Sequence, residues 1–185
     1  FKEFLNKKIP KEPIINLKTR FRRILIKDST AFGVNKELRE LYPVSDKEND
    51  PHAAVRIQFE YDVLSGTIND LSVHAFRDQD NCDWKRSNCY IQENDLIIRD
   101  LGYMHVEAIK ALIKERNADV LCRLDTRTDV YIKDNNQNFT KVNFSEVHKK
   151  MRTLEITSQQ LDVFVGAKER LPMRMVIFDL PDDVA

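Results

Sequence analysis

Residues 55–63, VRIQFEYDV, alternate without a break. Val55, Ile57, Phe59, Tyr61 and Val63 fall on one parity, and Arg56, Gln58, Glu60 and Asp62 on the other. A strict period of two is incompatible with a helix and specifies a strand with unlike faces. The spacing predicts the apolar parity as the buried one. LSGT (64–67) supplies a glycine turn, and INDLSVHAF (68–76) returns with Leu71, Val73 and Ala75 on one face. The pair reads as an antiparallel hairpin.

Two further apolar stretches each run into an aspartate. RILIKDST (23–30) reads as a buried strand over 23–28 that ends on Asp28, and DLIIRD (95–100) as one that ends on Asp100. HVEAIKALIKERN (105–117) follows as a helix with Val106, Ile109 and Ile113 on one face, flanked by Ala108 and Leu112, and Asn117 as its stop. DVLCRLD (119–125) is another strand, with Cys122 in its core. NKELRELYP (35–43) is a short helix at most, SDKENDPHA (45–53) a polar loop, and Trp84–Gln92 a short helix. This part is α/β, with strands and helices interleaved.

Beyond residue 126 the texture is β-rich. TDVYIKDNNQNFTKVNF reads as a hairpin around DNNQN, and RTLEITS, LDVFVGA and PMRMVIFDL read as three further strands. The expected organisation is an N-terminal helix or linker over 1–20, broken by Pro10 and Pro13, a core over 21–127 and a β-rich subdomain over 128–185.

At 185 residues, 42% hydrophobic and 32% charged, the chain can bury a sizeable core. No apolar run approaches the ~18–20 residues of a membrane span, and the N-terminus lacks a signal-peptide hydrophobic region. Three cysteines without a CxxC pair fit a reducing cytoplasm and argue against a disulfide framework or structural zinc. Net charge is zero but uneven. Residues 1–27 carry nine Lys/Arg against two Asp/Glu, and residues 46–100 carry six against twelve. That asymmetry fits a polyanion held near a metal site, although charge alone favours an ordinary solvated surface. The histidines show no HExxH spacing, the serines no nucleophile elbow, and the four glycines no phosphate loop.

A carboxylate at the end of a buried strand needs a partner. Two brought together repel, and a divalent cation reverses that repulsion. Mg²⁺ and Mn²⁺ favour oxygen donors, and two such ions about 3.5–4 Å apart activate a water and stabilise the leaving oxygen of a phosphodiester. A structural reading stands beside this one: Asp28 bonding the amides after it, and Asp100 capping the helix that starts near 104.

At these residues the sequence resembles the catalytic domain of bacterial insertion-sequence DDE transposases of the IS-four type. ILIKDST (24–30) resembles the first aspartate block, AAVRIQFEYDVLSGTINDLSV (53–73) the hairpin after it, DLIIRDLGYMHVEAIKAL (95–112) the second block, and DVLCRLDTRTDVYI (119–132) the strand leading into a β-rich insertion. The resemblance covers roughly residues 20 to 181. It implies an RNase H-like mixed sheet with flanking helices, with Asp28 and Asp100 on adjacent strands as catalytic metal ligands. It implies Mg²⁺ or Mn²⁺ as cofactor, DNA cleavage and strand transfer at transposon ends, and transposon-end and target DNA as partners, with a homodimer in the full-length protein. Arg99, Tyr103 and Arg123 are expected near the DNA, and helix packing is an equal role for Tyr103. The family's third carboxylate lies in a Y-x₂-R-x₃-E-x₆-K pattern that none of Glu107, Glu115, Glu146, Glu155 or Glu169 satisfies. The chain, which does not begin with Met, is therefore expected to be a fragment or a truncated remnant, with weak metal binding and absent or crippled catalysis. A non-catalytic DNA-binding remnant and a related metal-dependent nuclease are the alternatives.

Overall fold

The computed structural model describes residues 21–47, 50–78, 84 and 88–179. The linker expected over 1–20 lies outside them, as do residues 85–87 of the short helix expected over Trp84–Gln92. The chain divides into two compact units between Arg123 and Leu124.

The first unit is built on five strands: β1 (Arg23–Val34), β2 (Ala53–Asp62), β3 (Thr67–Ala75), β4 (Asp95–Arg99) and β5 (Asp119–Cys122). Their order is β3-β2-β1-β4-β5. β1 pairs antiparallel with β2 and parallel with β4, and β4 pairs parallel with β5. A 3₁₀ turn (Leu101–Tyr103) and helix α1 (Val106–Arg116) connect β4 to β5. His105 caps α1 by accepting from the Ala108 amide, and Asn117 ends it in the left-handed region at φ 52°. This is a mixed α/β sheet of RNase H-like form, as the resemblance implied.

The expected end of β1 at Asp28 needs correction. β1 runs six residues past Asp28, because Ser29–Val34 pair with Ala53–Gln58 although β4 has already turned away. The 35–43 segment, a short helix at most by its sequence, holds a 3₁₀ turn at Lys36–Leu38. On α1 the apolar face is as expected, with Ile109 and the flanking Ala108 and Leu112 buried and Val106 and Ile113 half-buried.

The largest correction concerns the hairpin. It is present, but its polar parity is the more deeply buried: Gln58, Glu60 and Asp62 are only 1%, 1% and 4% exposed. Val55 is buried, whereas Ile57, Phe59 and Tyr61 are half-buried. Register explains this. Leu25 lies opposite Asp62 and Ile97 opposite Leu25, so the polar parity shares its face with the core of Leu25, Ile91, Ile97, Leu112 and Ala118. The other face leaves Ile26, Val73 and Leu121 substantially exposed.

The second unit has a four-stranded antiparallel sheet, β6 (Val130–Lys133), β7 (Phe139–Lys141), β8 (Ser158–Val165) and β9 (Leu171–Phe178), in the order β7-β6-β8-β9. The hairpin around DNNQN and the last two strands match expectation. RTLEITS does not form a strand. Its first two residues end helix α2 (Phe144–Thr153), and the rest is a turn leading into β8. The helix forms because NFSE is a reciprocal cap. Asn143 Oδ1 accepts from the Glu146 amide at 3.4 Å, and Asn143 Nδ2 donates to Glu146 Oε1 at 3.0 Å. Asn143→Ala is expected to lower stability by about 1 kcal/mol, read as a lower urea midpoint with an unchanged slope.

Candidate metal centre

The site follows from a constant offset. β1 and β4 pair in parallel from Arg23 opposite Asp95 to Lys27 opposite Arg99. Asp28 and Asp100 each come one residue after this last matched pair, Lys27 and Arg99. β5 continues the row: Arg99 lies opposite Cys122, so Arg123 follows beside Asp100. Carboxyl ends of parallel strands, where one strand turns off the sheet, are where open α/β folds present ligand-binding groups.

Both carboxylates face outward. Asp28 is exposed, and its Oδ1 accepts from the Ser29 amide at 2.7 Å. The side chain of Asp100 is 62% exposed, and its Oδ1 accepts from Arg123 Nη1 at 3.3 Å. Asp100 makes no side-chain cap to the 3₁₀ turn after it, and α1 is capped by His105 instead. The capping role for Asp100 is therefore not what the structure shows, whereas Asp28 does hold the amide that follows it.

The remaining expected residues separate. Arg123 is exposed at the rim, in an exposed ion pair that contributes little stability. Arg99 points the other way. Its guanidinium lies beneath the sheet, 8% exposed, donating to Glu60 Oε2, to the Ile98 carbonyl at 3.1 Å and to the Leu25 carbonyl at 3.5 Å. Burial pulls its pKa down, and the Glu60 carboxylate opposes that pull. Arg99 thus faces Glu60 and not the surface where DNA was expected. Tyr103 is half-buried, its ring 5.9 Å from the ammonium of Lys27, itself 3% exposed. That geometry is the packing role. Cys122 is half-buried, its thiol 3.6 Å from Met104 Sδ, and burial raises its pKa, so it remains a thiol.

A buried polar chain underlies this row and is not legible as such in the sequence. Arg23 Nε donates to Asp95 Oδ1 at 3.0 Å, and Arg23 Nη1 to Asn69 Oδ1 at 2.9 Å. Asn69 Nδ2 donates to Glu60 Oε1 at 2.6 Å, and Glu60 receives Arg99. Asn69 reaches the buried face because the β2–β3 register shifts there: Glu60 lies opposite Asp70 and Tyr61 opposite Ile68. The clue was available. Each aspartate is directly preceded by a cation, and a cation on the opposite face of a buried strand needs an acid beneath the sheet.

Two outward carboxylates are suitable donors for a hard divalent cation. Among the described residues no group of three or more His, Cys, Asp or Glu is placed to complete such a site. No helix among them is long and apolar enough to cross a membrane.

The model of the family described as the transposase DDE domain matches residues 19–167. Over 178 residues the chain is 25% identical to the transposase for insertion sequence element IS1151 of Clostridium perfringens, covering 90% of this chain and 37% of that protein. Over 194 residues it is 28% identical to the transposase for insertion sequence element IS231F of Bacillus thuringiensis subsp. israelensis, covering 97% and 40% respectively. The chain thus spans about two fifths of the length of these curated relatives. Among solved structures, Endonuclease V of Ciona intestinalis in complex with an inosine-containing 24mer DNA aligns over 95% of this chain and 74% of that one, with 12% identity and a TM-score of 0.35. A likeness of that degree carries no argument.

Proposed function

The chain belongs to the DDE transposases of bacterial insertion sequences, and from that premise we propose that it carries the two-aspartate part of a transposase catalytic domain. Asp28 and Asp100 hold Mg²⁺ or Mn²⁺ and present it to a DNA phosphodiester. The observation that supports this reading most strongly is that two exposed aspartates each directly follow Lys27 and Arg99, the last matched pair of the neighbouring parallel strands β1 and β4. A bound divalent ion supplies activation of the attacking water or hydroxyl and stabilisation of the leaving oxygen. The chain's own part is to position. Asp28 is fixed by its bond from the Ser29 amide, and Asp100 is set by the end of β4 and the turn after it. Arg123, beside Asp100 and exposed, can leave that carboxylate for a backbone phosphate of the DNA.

In this reading the longer protein cuts and joins at transposon ends, acting in the cytoplasm on paired ends as a homodimer. The third carboxylate comes from outside the described residues. Arg99 serves the interior, and Asp28, Asp100 and Arg123 form the working row.

Asp28→Asn and Asp100→Asn are each expected to weaken Mn²⁺ binding by tenfold or more, on the order of what perturbing a metal's ligand set costs. Thermal stability is expected to hold or rise, since each change removes one of two neighbouring like charges. Mn²⁺ titration followed by electron paramagnetic resonance decides. Unchanged affinity in both variants would remove the metal-site reading.

A further inference from the structure

We infer that Glu60 is a positioning residue for the aspartate pair, acting through Arg99; this rests on the metal-site reading above. β4 is only five residues long, Asp95–Arg99, and its two end residues are the two ends of the buried chain Asp95–Arg23–Asn69–Glu60–Arg99. Asp95 is held by Arg23 of β1, and Arg99 by Glu60 of β2. The Glu60–Arg99 pair passes beneath β1 at Lys27, which lies opposite both. It therefore ties β2 to β4 across the strand between them, one residue before each aspartate. β1 is secured over its whole length by β2, whereas β4 turns off the sheet at Asp100. The rotation and advance of that strand end, and so the place of the Asp100 carboxylate relative to Asp28, depend on what grips Arg99. Its side chain is 7% exposed and that of Glu60 1%, so the grip is dry and its geometry fixed.

A purely stabilising ion pair would look similar in a static structure, so the test separates position from stability. The 185-residue chain is compared as wild type, Asp28→Asn, Glu60→Gln, and the double variant Glu60→Met with Arg99→Met. Replacing a whole buried pair by apolar side chains of similar volume usually leaves stability unchanged or raised. The double variant is therefore expected to melt at or above the wild-type temperature, yet to bind Mn²⁺ about tenfold more weakly, the usual size of an outer-shell effect. Glu60→Gln keeps one acceptor oxygen for Arg99 and is expected to lose only part of that affinity.

A folded double variant with wild-type Mn²⁺ affinity, alongside an Asp28→Asn variant that has lost it, would overturn the positioning role and leave the metal site standing. Wild-type affinity in Asp28→Asn would instead bring down the metal site, and this inference with it. If the double variant does not fold, Glu60→Gln decides: weakened Mn²⁺ binding at an unchanged melting temperature upholds the role, and unchanged binding overturns it.

Discussion

Asp95→Ala is expected to destabilise the protein by about 3–5 kcal/mol, the usual consequence of removing one member of a buried ion pair. Asp95 is fully buried. It accepts from Arg23 Nε at 3.0 Å and from the Gln92 amide at 2.8 Å. Alanine strands both donors. Arg23 keeps the Asn69 oxygen and the Tyr90 carbonyl at 2.9 Å, and its side chain is 19% exposed, which places the loss toward the lower end. Burial works against the Arg23 charge, and the Asp95 hydrogen bond outweighs it, so the guanidinium pKa lies above its ordinary value. Charge on Arg23 is therefore present at every pH at which the protein folds, and the destabilisation is expected to be the same at pH 6 and pH 9. The single tryptophan, Trp84, stacks on His105 with ring centroids 5.9 Å apart, and its fluorescence reports urea unfolding of this unit. An unchanged midpoint would mean that the pair contributes nothing net.

Met151→Ala is expected to cost about 2–5 kcal/mol in the second unit, the range for truncating a fully buried side chain that leaves a cavity. Met151 is the only buried residue of α2, at 0% exposure. The buried residues of the sheet in that unit are Val130, Val163, Val165, Leu171 and Ile177. A ten-residue helix has little stability of its own in water and depends on such an anchor. With no tryptophan in this unit, amide hydrogen exchange over α2 and β8 is the measurement. Protection is expected to fall at both elements together, and full protection in the variant would show that the helix does not need the methionine.

The α/β order was readable because it rests on local pattern: alternation over 55–63, a helical period over 105–117, and a glycine turn between 64 and 67. What failed was the assignment of inside and outside. Alternation identifies two faces but not which one the rest of the chain covers. Here β2 belongs to a sheet whose helix-covered side takes the polar parity: Glu60 is admitted because Asn69 and Arg99 satisfy it, and Asp62 because it accepts from the Ile24 and Leu64 amides and the Ser65 hydroxyl. The aspartates could be found because they follow apolar runs, and their placement after one matched pair is a register that no single strand encodes. Arg99 was expected near DNA only through the resemblance; that it faces Glu60 is a pairing across the sheet that no single strand encodes. The missed helix at 144–153 has a plainer cause. Its signal is a cap, Asn143 with Glu146, followed by a polar run of His148, Lys149 and Lys150 that carries no apolar stripe beyond Phe144, Val147 and Met151.

Lys27–Asp28 and Arg99–Asp100 are two base–acid dipeptides laid abreast, each with its base beneath the sheet and its acid above. Strand parity thus acts as a sorting rule, and the rule makes the site brittle to one kind of error. A mutation that weakens a side chain here degrades the site by degrees. A slip of one residue in both strands together would instead exchange two carboxylates for two cations on the upper face, and bury two acids where the bases had been. The result would be an upper face that repels a cation. For these two segments, length therefore constrains the upper face more strictly than composition: a substitution alters one side chain, while the gain or loss of a single residue in both reverses the sign of the whole row.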